Sequence, residues 1–166
     1  MADRKSTALW TGSLKNGHGV VSGESGAFHH APYSARSRFE TKDGTETQQT
    51  NPEELIAAAH ASCFSMAVAN NLESAGFQPK SLDVTASVTL EKTKDSWSIP
   101  SVHLILHAQV PDASEGDFRD LVQRAKETCP VSRLLNANIS WEAHLNAEPS
   151  KTHFHHETRV DDNRPV

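Results

Sequence analysis

The sequence predicts an α+β fold in which antiparallel sheets surround one long buried helix, and three features carry that expectation. Residues 50–73, TNPEELIAAAHASCFSMAVANNLE, join a full set of helix-start residues to an apolar body. Three later stretches alternate apolar and polar residues with period two, as half-buried strands do. Between the last two of these, an apolar stripe repeats at helical spacing.

In chain order, Thr7–Leu14, Gly17–Ser22 and Tyr33–Thr41 have β character and are separated by Gly12, Gly17, Gly19, Gly23, Gly26 and Pro32, which reads as a small meander. Period-two spacing would put Arg36, Arg38 and Glu40 on one charged face of the third strand. Lys42–Gln49 is a polar loop leading to the long helix. There Asn51 is the expected N-cap, Pro52 the first helical residue, and Glu54 the partner that closes a capping box. The body from Leu55 to Ala69 is interrupted only by His60, Ser62, Cys63 and Ser65, so burial nearly all round is expected. That run is shorter than the ~18 apolar residues of a bilayer span, which favours a core helix.

Gly76 and Pro79 end the helix, and Leu82, Val84, Ala86, Val88 and Leu90 then alternate with polar partners. A charged turn leads to a second strand through Val102, Leu104, Leu106, Ala108 and Val110, completing a hairpin with His103 and His107 on its polar face. Ser114 and Asp117 open a helix with the stripe Phe118, Leu121, Val122 and Ala125, which reaches Cys129. Cys129 either ends this helix or caps a short one over Val131–Leu135, whose dipole would favour a thiolate. Ile139, Trp141, Ala143 and Leu145 form the last strand. One domain is expected over residues 1–147, with 148–166 a disordered tail that includes His153, His155 and His156.

With 22% charged residues and a net charge of -5, the chain has neither the basic footprint of a nucleic-acid partner nor a polybasic membrane segment. No apolar leader core follows Met1, so a reducing cytosol is the expected compartment. Cysteines there serve catalysis, redox sensing or metal binding more than stapling, although two unrelated buried thiols fit as well. A peroxidatic reading has Cys63 attack a peroxide and Cys129 condense with the resulting sulfenic acid. Arg38, held by Glu53, would supply the positive charge the thiolate needs. Glu53 precedes Cys63 by ten residues, about 15 Å along a helix, so it would act through the arginine. Two other readings use His60: a metal site with Cys63 and Cys129, or a Cys–His nucleophile for acyl transfer. The plain reading of His60 is a core histidine bonded to a backbone carbonyl.

The segments TNPEELIAAAHASCFSMA, KETCPVS, ESG and SRFE together resemble the OsmC family of osmotically inducible, organic-hydroperoxide-detoxifying proteins, over roughly Thr7 to Leu145. The longer SRFE approach resembles the OsmC branch more than the organic hydroperoxide resistance branch. The resemblance implies an intertwined α+β homodimer with two interfacial sites, acting as a thiol-dependent peroxidase without a cofactor or metal. It makes Cys63 peroxidatic, Cys129 resolving, Arg38 the active-site arginine and Glu53 the carboxylate that orients it. An organic hydroperoxide is the implied substrate and a lipoyl-type dithiol the implied reductant. Two features depart from the family pattern: the Thr45–Gln49 loop is longer, and the His-containing tail has no counterpart. The competing class is a non-enzymatic stress protein binding a hydrophobic ligand or a metal at the Cys/His cluster.

Overall fold

The computed structural model describes residues 3–40 and 48–147; residues 45–47 of the longer loop and the tail from residue 148 lie outside them. Strands β1 (Ser6–Thr11), β2 (His18–Gly23) and β3 (Ala31–Tyr33) form a small antiparallel sheet. The third strand is shorter than its sequence suggested. It ends at Tyr33, and residues expected to continue it form α1 (Ala35–Phe39). The reason is local: Ser34 accepts from the Ser37 N–H at 3.1 Å while Ser37 Oγ accepts from the Ser34 N–H at 3.0 Å. This reciprocal cap satisfies orphan helix donors that a strand would have to pair with a neighbour. Arg36, Arg38 and Glu40 are therefore not one face of a strand.

Helix α2 (Pro52–Ser74) starts where expected, with Asn51 Oδ1 accepting from the Glu54 N–H at 2.8 Å. Only half of the capping box forms, because the Glu54 carboxylate accepts from the Thr50 hydroxyl at 2.8 Å instead of reaching back to Asn51. Gly76, with φ of 88°, turns the chain away beyond the helix end, a conformation that favours glycine. By length and composition α2 is apolar enough to cross a membrane. It serves as a core helix: Phe64, Val68 and Leu72 are fully buried within the main apolar cluster.

That burial is one-sided, against the expectation of a helix enclosed all round. Glu53, His60, Phe64, Val68 and Leu72 form the buried stripe, whereas Ala58, Ala59, Ser62 and Met66 are exposed in the single chain. Small and apolar residues make the two faces alike in sequence, so composition could not tell which one this chain covers. Cys63 lies between them, half-buried.

Strands β4 (Ser81–Lys92), β5 (Trp97–Gln109) and β6 (Asn138–Leu145) make the second sheet. The β4–β5 hairpin is antiparallel, with a register shift between Thr89 and Glu91 opposite Pro100, a residue with no N–H to give the ladder. The sheet as a whole is mixed, not antiparallel: β6 runs parallel to β5, pairing His107 with His144. The cause is the connection, since α3 (Glu115–Thr128) and α4 (Pro130–Leu134) carry the chain back before β6 begins. Helix α3 buries the expected stripe of Phe118, Leu121, Val122 and Ala125. These residues, α2 and the inner row Val102, Leu104, Leu106 and Ala108 share one core, which the first sheet does not join.

Candidate functional site

Two polar constellations stand out along α2. At its start, Arg38 of α1 forms a forked ion pair with Glu53: Nη2 lies 2.7 Å from Oε1, and Nε lies 3.2 Å from both carboxylate oxygens. Such planar pairing fixes the direction of a guanidinium as well as its position. Glu53 is nearly buried, and its partner is one-third exposed, so one side of the guanidinium remains open. The Arg38 guanidinium carbon also lies 5.1 Å from the centre of the Phe39 ring, which packs against Trp97 at 4.8 Å. Ser37 Oγ donates to the Thr50 carbonyl at 3.0 Å, tying α1 to the chain entering α2. Glu40 takes no part. It faces Arg36 at 3.8 Å, and both side chains are largely exposed.

Three helical turns on, Cys63 meets Cys129. Their sulfurs are 3.3 Å apart and both thiols are free. The two helices that meet there put Cys129 at a junction: it is at once the C-cap of α3 and the N-cap of α4, so both alternatives read from Pro130 hold. Cys129 is fully buried and Cys63 only partly. Burial pushes the Cys63 thiol up, and the adjacent Cys129 sulfur adds to the rise, while a hydrogen bond from the Val131 backbone N–H works in the opposite direction. In the single chain, then, the thiol lacks the activation that the sequence assigned to Arg38.

His60 lies one turn before Cys63 on the buried side. It does not bond a backbone carbonyl: its Nε2 is 2.8 Å from Ser132 Oγ of α4. Burial lowers its pKa, which keeps the ring neutral. Sequence reasoning missed Ser132 and the Val131 N–H as parts of this site. The signal was present, since Ser132 follows Cys129 by the same three residues that separate His60 from Cys63. No group of three potential metal ligands converges among the described residues. On the outer face of the second sheet, His103 bonds Ser140 Oγ at 2.8 Å and Glu142 at 3.3 Å, and His107 stacks on His144 at 4.7 Å.

Residues 43–144 match the OsmC-like protein family. Over 142 residues the chain is 44% identical to the Peroxiredoxin OsmC of Escherichia coli K12, covering 86% of this chain and 96% of that protein. It is 36% identical over 100 residues to the Organic hydroperoxide resistance protein-like 1 of Staphylococcus epidermidis, covering 60% of this chain and 69% of the relative. Among solved structures, an OsmC-like protein of unknown function from Vibrio cholerae superposes with a TM-score of 0.69 at 16% identity, over 87% of this chain and all of that one, which is likeness of fold.

Proposed function

The chain belongs to the OsmC-like family, and from that premise we propose that it is a cysteine-based peroxidase that reduces organic hydroperoxides to alcohols. The observation that carries this reading is the 3.3 Å approach of two free thiols, one reachable from outside and one enclosed. The Cys63 thiolate attacks the outer peroxide oxygen, the O–O bond breaks, and the alkoxide leaves as alcohol after taking a proton. Cys63 is now a sulfenic acid. Cys129 condenses with it, releasing water and forming a disulfide, for which the sulfurs close to about 2.05 Å. An external dithiol of lipoyl type then reduces the disulfide. No metal or cofactor is used, and the reaction belongs to a reducing, cytoplasmic setting.

Arg38 would stabilise the thiolate, and Glu53 would aim it. The ion pair is formed within one chain, but Glu53 and Cys63 stand ten residues apart on one helix, about 15 Å along its axis. A second copy removes the difficulty. If two α2 helices cross antiparallel about a two-fold axis near Ala58, midway between these residues, each Glu53 comes opposite the other copy's Cys63. The open face of Ala58, Ala59, Ser62 and Met66 lies where that crossing would bury it. The proposed enzyme is thus a homodimer in which each site takes its thiols from one chain and its arginine from the other.

The deciding experiment is consumption of cumene or tert-butyl hydroperoxide by the purified protein with dihydrolipoamide. Cys63→Ser should abolish turnover and Arg38→Ala should slow oxidation by roughly 100-fold with the fold retained, as loss of one transition-state charge contact does. Full activity in Cys63→Ser would overturn the mechanism.

A further inference from the structure

Of the side-chain pairs that join α2 to α4 and its N-cap, the cysteine pair is the reacting one. The other, His60 to Ser132, joins a fully buried ring to a nearly buried hydroxyl at 2.8 Å. Each contact is three residues from its neighbour on both elements, 60 and 63 on one, 132 and 129 on the other, so the two run antiparallel like rungs of a ladder. Among the described residues His60 Nδ1 has no hydrogen-bond partner. An orphan lone pair costs less than an orphan N–H, which assigns the proton to Nε2 and makes Ser132 Oγ the acceptor.

A buried polar pair with one unsatisfied atom is a poor means of adding stability, since apolar residues of similar volume would do as well. What it adds is direction. Helix α4 has only five residues, too few to hold its own conformation, and its outer residues Arg133 and Leu134 are exposed. Apolar packing alone would let it slide along α2. Its placement also sets two groups at Cys63: the Cys129 sulfur and the Val131 N–H.

We infer that His60 and Ser132 are positioning residues that lock α4 in register with α2 and so govern whether the oxidised Cys63 is captured by Cys129. The inference rests on the peroxidase reading above. At that branch, Cys63–SOH and the Cys129 thiol give the disulfide and water. In the competing branch, a second hydroperoxide converts Cys63–SOH to the sulfinic acid and is itself reduced to alcohol. The first branch needs Cys129 held in place, whereas the second does not.

The test is the ratio of disulfide to sulfinic acid, read by mass spectrometry after graded tert-butyl hydroperoxide without reductant, in wild type, His60→Leu, Ser132→Ala and His60→Gln. His60→Leu and Ser132→Ala should lower the ratio by roughly tenfold or more, within the loss that a displacement near 1 Å produces. His60→Gln, which keeps an amide N–H at the Nε2 position, should recover most of it. A general loss of stability reduces the reacting population without changing how each sulfenic acid partitions. Wild-type ratios in His60→Leu and Ser132→Ala, with wild-type disulfide formed normally, would overturn the positioning role alone. Failure of the wild type to form the Cys63–Cys129 disulfide would overturn the peroxidase reading and this inference with it.

Discussion

At the scale of single residues, the site pairs groups whose protonation is set by what surrounds them. Burial holds His60 neutral, with its pKa below the usual 6.5. The consequence for stability has a definite sign. Above about pH 6.5 the ring is neutral both folded and unfolded, and it contributes no pH dependence. Below that value the unfolded chain takes up a proton that the folded one refuses, so stability falls with pH until the lower folded pKa is reached, and then levels. Urea unfolding at pH 7.5 and 5.5 checks this: wild type should lose more stability over this interval than His60→Leu does. Equal losses would mean that His60 titrates freely in the fold.

At the scale of elements, the decisive parts are short. Asn51 caps α2, and Asn51→Ala should cost about 1 kcal/mol in chemical denaturation, the usual worth of a lost N-cap. Helix α1 matters differently, because its five residues exist through the Ser34–Ser37 cap and the Ser37 bond to Thr50. Ser37→Ala should release Arg38 from its bearing on Glu53, lowering peroxide turnover severalfold while Tm falls by only a few degrees. Turnover unchanged in this variant would show that Glu53 alone orients the arginine. These elements also mark what the sequence could disclose. The starts of α2 and α3, the β4–β5 hairpin and the stripe ending in Cys129 were legible because local chemistry and periodicity decide them. Residues 33–39 were not, since a meander with Gly and Pro punctuation and a serine-capped turn share the same composition, and only the cap geometry separates them. The parallel pairing of β6 was hidden as well, because alternation reveals a strand's faces but not its direction. In the site, the two cysteines and the Arg38–Glu53 pair could be named from residue type and family likeness. The His60–Ser132 contact spans 72 positions and needed the fold to bring it together.

At the scale of the molecule, the single chain leaves its main helix half-dressed. The first sheet stands outside the core cluster, and an open pocket of about 180 Å³ lies between it and the start of α2, lined by Ala8, Val21, Tyr33, Pro52 and Leu55. Leu9, Leu14 and Met66 are each more than 60% exposed, a large apolar area for a chain meant to stand alone. A second copy laid antiparallel along α2 would cover Met66, and it would do so by the same operation that brings an arginine to each thiol. Assembly and catalysis are then one property, which leads to a test in mixed dimers. Alone, Arg38→Ala should retain roughly one hundredth of wild-type turnover and Cys63→Ser none. In a mixed dimer, the Arg38→Ala chain supplies Cys63 and Cys129, and the Cys63→Ser chain supplies Arg38, so one of the two sites is whole. Unfolding and refolding an equimolar mixture scrambles the chains at random, and half of the dimers are then mixed. Peroxide turnover should recover to roughly one quarter of the wild-type value, following from closed two-fold pairing. If each site instead took its arginine from the same chain as its thiols, no combination of these variants would hold a complete set, and the mixture would turn over no faster than its parts.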